Sequence, residues 1–197
     1  MAKFNRRVFT KDINKSLGSK EMKTRAYKIV QDKVAEADRK MVQNFDSHVV
    51  TREINSGPDS SNISGTLGGY GNLFSFIGFP KGSSPTDIVR AYMRKGTRVY
   101  RTARVTTNPN FVEMAFRIKA PSLQDIEGIT PSPWEGKSWI RGVERGISGL
   151  GYYINEESKG SRSGKGYQSS REIRGYIYKP IKYITSIIEK FNEDLQR

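Results

Sequence analysis

The residue types that most often carry out chemistry are scarce in this chain. Its 197 residues include a single histidine, His48, and no cysteine, which excludes thiolate chemistry, disulfides and metal sites built on several histidines. No Gly-x-Ser-x-Gly motif is present to position a nucleophilic serine. Glu156 and Glu157 are adjacent, and neighbours on an extended segment face opposite ways, so they are not expected to act together. We expect His48 to lie at a helix end and to have a structural role.

One segment is superficially similar to a phosphate-binding loop. Gly-Ser-Arg-Ser-Gly-Lys-Gly occupies residues 160–166, but three residues instead of four separate its first two glycines. Gly166 also stands where a hydroxyl residue would bind magnesium. We therefore interpret residues 155–171 as an extended, exposed loop with a basic tip. Its candidate contacts to DNA or to an acidic partner are Lys159, Arg162 and Lys165.

The charge of the chain is strongly positive. Thirty-four basic and 20 acidic residues give a net charge of +14, and the first fifty residues are the most basic quarter. Such an excess favours a nucleic-acid partner, although a solvated surface or an acidic protein neighbour also accounts for it. Residues 1–18 are predicted to be a basic arm, and residues 19–197 a single domain. No signal peptide and no apolar stretch of the ~20 residues needed to cross a membrane are visible.

Hydrophobic periodicity and capping residues predict the helices. Ser19 is a candidate N-cap for a long helix over about residues 20–47, in which apolar residues recur at steps of three or four. A second helix should run from Pro85 to Gly96, with proline at its first position. A short helix and a loop should follow Pro121. The last helix should begin at Pro180 and present an apolar stripe.

Five segments are predicted to be extended. Residues 49–54 form a short strand or an extended link, and the apolar residues 73–79 form a buried strand. Residues 99–105 and 112–118 form a hairpin around an Asn-Pro-Asn turn, and residues 173–178 return as a strand. The order of elements predicts an α+β fold, in which a long N-terminal helix and a C-terminal helix cover a mostly antiparallel sheet with long loops.

Residues 57–79 are the most informative stretch of the sequence, and residues 57–72 within it are here called the glycine loop. Several glycines lie among small polar residues, which suits sharp bends or close approach of another backbone. We interpret the loop as an interface with a partner; the alternative is packing within the chain that requires tight turns. The candidate interface residues are Asn62, Ser64, Gly65, Thr66, Leu67, Gly69, Tyr70, Gly71 and Asn72.

The same residues carry a family resemblance. Residues 64–79, Ser-Gly-Thr-Leu-Gly-Gly-Tyr-Gly-Asn-Leu-Phe-Ser-Phe-Ile-Gly-Phe, with His-Val-Val-Thr-Arg-Glu-Ile at 48–54, resemble the neck and tail-completion proteins of tailed bacteriophages. A looser second block comprises Pro-Trp at 133–134 and Trp-Ile-Arg-Gly-Val-Glu-Arg-Gly-Ile-Ser at 139–148, where that group has a related aromatic–Val-Glu-x-Gly element. The resemblance covers roughly residues 20–197.

The second block supplies three more candidate interface residues, Trp139, Glu144 and Arg145. Trp139 could equally belong to the core, since large aromatic residues serve both purposes. Glu144 could form a salt bridge with Arg141 or Arg145 in its own chain. The other interpretation is an ion pair between subunits.

The resemblance implies a structural protein of the virion at the head–tail junction, in the neck or proximal tail, assembled in the host cytoplasm. It implies a homo-oligomeric ring that joins the head connector to the tail and adjoins head-connector and tail-terminator proteins, with non-specific contact to packaged DNA and no membrane. Neither catalysis nor a cofactor is expected.

Two other functions remain open at this point. One is a sequence-independent nucleic-acid-binding protein that uses the basic arm together with Arg98, Arg101 and Arg104. The other is a nuclease that uses carboxylates and a metal.

Overall fold

The computed structural model describes residues 19–69, 71–107, 112–133, 136–146 and 178–196. The elements in these ranges are, in order, α1 (Lys20–Ser47), α2 (Val49–Asn55), α3 (Leu73–Ile77), α4 (Pro85–Gly96), β1 (Arg98–Thr107), β2 (Val112–Lys119), α5 (Leu123–Gly128), α6 (Trp139–Arg145) and α7 (Ile184–Gln196). This mixture confirms the α+β class. In the described part of the chain, the antiparallel sheet is the two-stranded β1–β2 hairpin.

Helix α1 begins where the sequence predicts. The Ser19 side chain accepts a hydrogen bond from the backbone N–H of Met22 at 3.3 Å, which is the N-cap arrangement. Met22 itself remains 38% exposed, so the first turns of α1 contribute little to the core. The buried residues of the helix all lie in its second half and are Val34, Ala37, Met41 and Phe45.

The two strands form the predicted antiparallel hairpin. Val99 lies opposite Ile118, and the register shifts between Val99 and Ala103, which marks a bulge in β1. The tip of the hairpin, residues 108–111, lies outside the described residues. The side that contains Val99 and Ile118 also carries the half-buried Val105, Met114 and Phe116, whereas Arg98, Arg104 and Ala115 on the other side are exposed.

Residues 49–54 are helical, so the prediction of a strand or extended link is wrong. The imidazole Nδ1 of His48 accepts a hydrogen bond from the backbone N–H of Val50 at 3.3 Å and caps helix α2. Val50 and Ile54 are fully buried on one side of the helix. This burial outweighs the preference of β-branched residues for strands.

The apolar run that begins at Leu73 is also helical, which corrects the prediction of a buried strand. Asn72 is the N-cap of helix α3, and its side-chain Oδ1 accepts a hydrogen bond from the backbone N–H of Ser75 at 2.9 Å. The helix ends at Gly78, which adopts a left-handed conformation with φ of 82°. A short apolar run does not distinguish a buried strand from a buried helical turn by periodicity.

The last helix begins at Ile184, four residues after the predicted start at Pro180. The sequence predicts an apolar stripe of Ile181, Ile184, Ile188, Phe191 and Leu195. The buried residues of the helix are Ile184, Ile187 and Phe191, whereas Ile188 and Leu195 pack half-buried against the core, and the helix packs against α1. The core combines aliphatic and aromatic residues. Its large, fully buried side chains include Phe45, Phe74, Trp139, Tyr183 and Phe191.

Several predicted features lie outside the described residues. They are the basic arm 1–18, the extended loop 155–171 and most of the predicted strand 173–178. Where the structure does describe helices, none combines the length and the apolar character that crossing a membrane requires.

Candidate functional site

The glycine loop is organised around the carboxylate of Glu53, a fully buried residue of α2. Its Oε1 accepts hydrogen bonds from the backbone N–H of Leu73 at 2.7 Å and from Nδ2 of Asn62 at 2.9 Å. Its Oε2 accepts a third from the backbone N–H of Ser64 at 2.7 Å. Hydrogen bonds to an ionised acceptor are stronger than neutral ones, so Glu53 fixes the loop firmly against α2.

Two asparagines fix the rest of the loop. Oδ1 of Asn62 accepts hydrogen bonds from the backbone N–H groups of Leu67 at 2.9 Å and Gly69 at 3.3 Å. Nδ2 of Asn72 donates to the carbonyl oxygen of Pro58 at 2.7 Å. The amides thus replace backbone pairing in a segment that has no helix or strand of its own.

The glycine loop is also attached to the segment that precedes α7. The backbone N–H of Lys179 donates to the carbonyl oxygen of Thr66 at 2.8 Å. The ring of Tyr178 stacks on that of Phe76, with 5.8 Å between centroids. Burial raises the pKa of the Tyr178 hydroxyl, and the nearby Glu53 carboxylate raises it further, so this phenol stays neutral.

Part of the outward side of the loop is glycine backbone, next to the exposed side chains of Asp59, Ser61 and Ile63. Gly65 and Gly71 have φ of 68° and 62°, a left-handed conformation that side chains other than glycine rarely adopt. Among the described residues, a Cβ placed at Gly65, Gly69 or Gly71 would meet no atom within 4 Å apart from its own chain neighbours. Glycine is therefore favoured at these positions by the backbone conformation and not by a lack of space for a side chain.

The predicted interface residues of the glycine loop fall into two groups. The first group uses its side chains within the chain and comprises Asn62, Ser64, Thr66, Leu67 and Asn72. The second group presents exposed backbone and comprises Gly65, Gly69 and Gly71. Tyr70 lies outside the described residues. Another molecule can contact this exposed backbone and the neighbouring exposed side chains of Asp59, Ser61 and Ile63.

Two residues of the second block differ in exposure. Trp139 is only 1% exposed, and its ring meets that of Phe79 edge-on at 5.6 Å, so it belongs to the core of this chain. Arg145 has a side chain that is 57% exposed, and its guanidinium lies 4.0 Å from Oε1 of Glu127. Arg145 thus remains accessible to a neighbour.

Glu144 caps the last helix. Its Oε1 accepts hydrogen bonds from the backbone N–H of Tyr183 at 3.1 Å and of Thr185 at 2.7 Å, and its Oε2 accepts one from the Thr185 hydroxyl at 2.7 Å. Among the described residues it forms no ion pair with Arg141 or Arg145, so the salt bridge considered from the sequence is replaced by a cap. The carboxylate also suits the positive end of the helix dipole.

His48 occupies the predicted helix end, at the joint between α1 and α2. Because its Nδ1 accepts the hydrogen bond from Val50, that nitrogen carries no proton. Its ring centroid lies 4.8 Å from that of Tyr183. Burial lowers the pKa of His48, and the carboxylate of Glu144 opposes this effect more weakly.

The predicted basic contacts are only partly described. Arg98 and Arg104 are exposed on β1. The Arg101 guanidinium lies 5.8 Å from the centroid of the Tyr27 ring, on α1. The remaining candidates, Lys159, Arg162 and Lys165, lie outside the described residues.

Sequence reasoning missed Glu53 as the organising residue of the loop. A signal was present, because Glu53 lies between Arg52 and the buried Ile54, three positions after the buried Val50. An acidic residue on the apolar side of a helix requires buried partners. The polar, glycine-rich segment that follows is the source of those partners.

In the ranges that the structure covers, no three histidine, aspartate or glutamate side chains come together in a way that could bind a metal ion. Comparison of the chain with protein-family models, with curated proteins and with solved structures finds no significant match.

Proposed function

We propose that this chain is a non-catalytic structural protein of a tailed-phage particle, located at the head–tail junction in the neck or proximal tail. Two blocks support the proposal through their resemblance to neck and tail-completion proteins, residues 64–79 and 139–148. In this reading the chain forms a homo-oligomeric ring that joins the head connector to the tail. It adjoins head-connector and tail-terminator proteins and is assembled in the host cytoplasm.

The observation that carries the proposal is the preformed, exposed backbone of the glycine loop. Three hydrogen bonds to the buried Glu53 carboxylate fix the loop before any partner arrives. A surface that is already ordered loses little conformational entropy on docking, which favours association. The open space around Gly65 and Gly71 leaves room for a neighbouring subunit to approach the backbone closely.

A ring of identical subunits would use the glycine loop as one of two different contact surfaces on each subunit. Such a ring closes through heterologous contacts, in which one surface of a subunit meets a different surface of the next. The glycine loop would supply one surface, and Arg145 would lie on another exposed part of the chain. Each contact can be weak, because repetition around the ring makes the assembly strong.

Substitution of the exposed glycines by asparagine tests the proposal. Asparagine is among the side chains that best tolerate positive φ, so Gly65→Asn or Gly71→Asn should cost the isolated chain only about 1–2 kcal/mol. The added side chain projects into open space, where we expect it to block docking. The measurement is the amount of tagged chain incorporated into particles during infection by the phage that carries this gene.

Gly82→Asn is the matched control, since Gly82 also has positive φ, 82°, and an open environment, but lies between α3 and α4. It should be incorporated as well as the wild-type chain. If the loop variants fold and enter particles as efficiently as this control, the glycine loop is not the interface. Absence of the tagged wild-type chain from purified tailed particles would refute the whole proposal.

A further inference from the structure

The β1–β2 hairpin has two chemically different faces. The inner face lies against α1, where the Tyr27 hydroxyl donates to the carbonyl oxygen of Val99 at 3.4 Å and the Tyr27 ring lies 6.0 Å from that of Phe116. These contacts settle which side of the ribbon is turned to the rest of the chain. We call the opposite side the outer face. Its residues include Arg98, Tyr100, Arg104, Thr106, Glu113, Ala115, Arg117 and Lys119, all exposed.

The outer face is strongly basic. The two strands contain five arginines and lysines and one acidic residue, Glu113. Four of the five basic residues belong to the outer face, where the Arg117 guanidinium lies 5.4 Å from the centroid of the Tyr100 ring. This cation–π contact orients the guanidinium and leaves its hydrogen-bond donors available to another molecule.

One pairing on this face works against the stability of the hairpin. Arg98 lies directly opposite Lys119, and like charges at directly opposite positions of an antiparallel pair repel each other. Hydrogen bonds with Ser122 and Tyr92 chiefly lower the pKa of the Asp125 carboxyl, and the nearby Lys119 lowers it further. In the described part of the chain, neither Arg98 nor Arg104 forms an ion pair. A negatively charged partner would remove this repulsion.

The shape and composition of the face favour nucleic acid over an acidic protein. A two-stranded ribbon fits the major groove of duplex DNA, and arginine, which supplies three of the four cations, binds phosphate oxygens in a bidentate manner. Protein interfaces are centred on several buried apolar or aromatic residues. The outer face offers one large side chain of that kind, Tyr100, which is 42% exposed.

We propose that the outer face of the hairpin binds the phosphate backbone of duplex DNA without sequence preference. Arg98 and Arg104 supply the central contacts, and Arg117 and Lys119 extend them along the second strand. This activity uses a surface different from the glycine loop and does not depend on the proposed position in the virion. A basic chain also attracts DNA through its overall charge, so the test must separate local contacts from bulk attraction.

The test is a salt series of DNA-binding measurements on the full chain, with a fluorescent duplex of random sequence as the probe. In the variant Arg98→Gln/Arg104→Gln, loss of two phosphate contacts should reduce the slope of log K against log salt by about 2. The control variant Arg39→Gln/Arg52→Gln removes the same charge from exposed positions on α1 and α2. It should leave the slope near that of the wild-type chain. Circular dichroism confirms that both variants are folded.

Two outcomes would overturn the proposal. Equal slopes for the hairpin variant and the control variant would mean that DNA responds to overall charge alone. A hairpin variant that keeps the wild-type DNA slope but loses binding to a polyglutamate probe would assign the face to an acidic protein. Neither measurement involves particle assembly, so a negative result for DNA binding would not bear on the proposed role at the head–tail junction.

Discussion

At the scale of single residues, Glu53 connects parts of the chain that are distant in sequence. Its three hydrogen-bond donors lie 9, 11 and 20 positions further along the chain. A fully buried carboxylate costs free energy unless its oxygens are paired. The hydrogen bonds that compensate for the burial of this carboxylate are the same ones that hold the glycine loop in place.

Replacement of this carboxylate should therefore destabilise the whole chain. Glu53→Gln keeps the shape of the side chain but puts an N–H₂ group where an acceptor oxygen stood. At least one of the donors at Ser64, Leu73 and Asn62 then loses its partner inside the core. We expect the free energy of unfolding to fall by about 2–3 kcal/mol, measured by urea titration.

Glu36→Gln is the control, because Glu36 is exposed and forms an ion pair with Lys40 at the surface of α1. Surface pairs of this kind contribute little, so no measurable change is expected. Hydrogen exchange at the Ser64 and Leu73 amides should accelerate in Glu53→Gln and remain slow in the control. Unchanged exchange at both amides would show that the carboxylate does not fix the loop.

At the scale of elements, the long, periodic segments were predictable and the short ones were not. Helix α1, helix α4 and the β1–β2 hairpin each have enough residues for a clear hydrophobic period. Helices α2 and α3 are 7 and 5 residues long, and their apolar residues suit a strand equally well. The distinguishing signals were the caps, Asn72 before α3 and Gly78 after it.

The start of α7 depends on a residue from a different helix. Glu144 of α6 accepts hydrogen bonds from the backbone N–H groups of Tyr183 and Thr185, so the first turn of α7 is capped from outside. Local sequence around Pro180 cannot reveal such a cap. We expect Glu144→Ala to lower the free energy of unfolding by about 1–2 kcal/mol, as loss of an N-cap typically does.

Arg145→Ala provides the comparison for this cap, because Arg145 is the adjacent residue and is largely exposed. It should change stability much less than Glu144→Ala. Hydrogen exchange would localise the effect, with faster exchange at Thr185 in the Glu144 variant alone. Equal losses in both variants would indicate a general weakening of α6 and argue against a specific cap.

At the scale of the whole molecule, packing partners could not be read from the sequence. The hydroxyls of Thr51 and Tyr183 are hydrogen bonded at 2.6 Å across 132 positions. The α1–α7 contact joins the two ends of the described chain. Hydrophobic periodicity identifies the apolar face of each helix, but it does not determine which of these faces pack against each other. For the same reason, composition identified the residues of the glycine loop but did not predict which groups their side chains would contact.

The joint at His48 should make the stability of the whole molecule depend on pH. Burial lowers its pKa below the ordinary value of 6.5, so the unfolded chain binds more protons between the folded pKa and 6.5. The free energy of unfolding should therefore fall as pH decreases through this window. Protonation of Nδ1 would also remove the acceptor that caps α2. Chemical denaturation from about pH 8 to about pH 5.5 measures this dependence.

The variant His48→Asn distinguishes the effect of protonating residue 48 from the effect of losing the N-cap of α2. Asparagine retains a side-chain acceptor suited to an N-cap position but does not titrate in this range. The variant should remain helical at α2 and show a flatter stability profile than the wild-type chain. A profile as steep as that of the wild-type chain would assign the pH dependence to other groups.

The carbonyl oxygen of Val143 accepts hydrogen bonds from the Tyr178 hydroxyl at 2.8 Å and from the backbone N–H of Ile181 at 3.4 Å. The segment that begins at Tyr178 therefore packs beside the end of α6. A Cβ placed at Gly146 would lie 3.7 Å from the Tyr178 ring, so the two described segments end and resume at neighbouring points. A spacer that replaces residues 147–177 would therefore have only a short distance to connect.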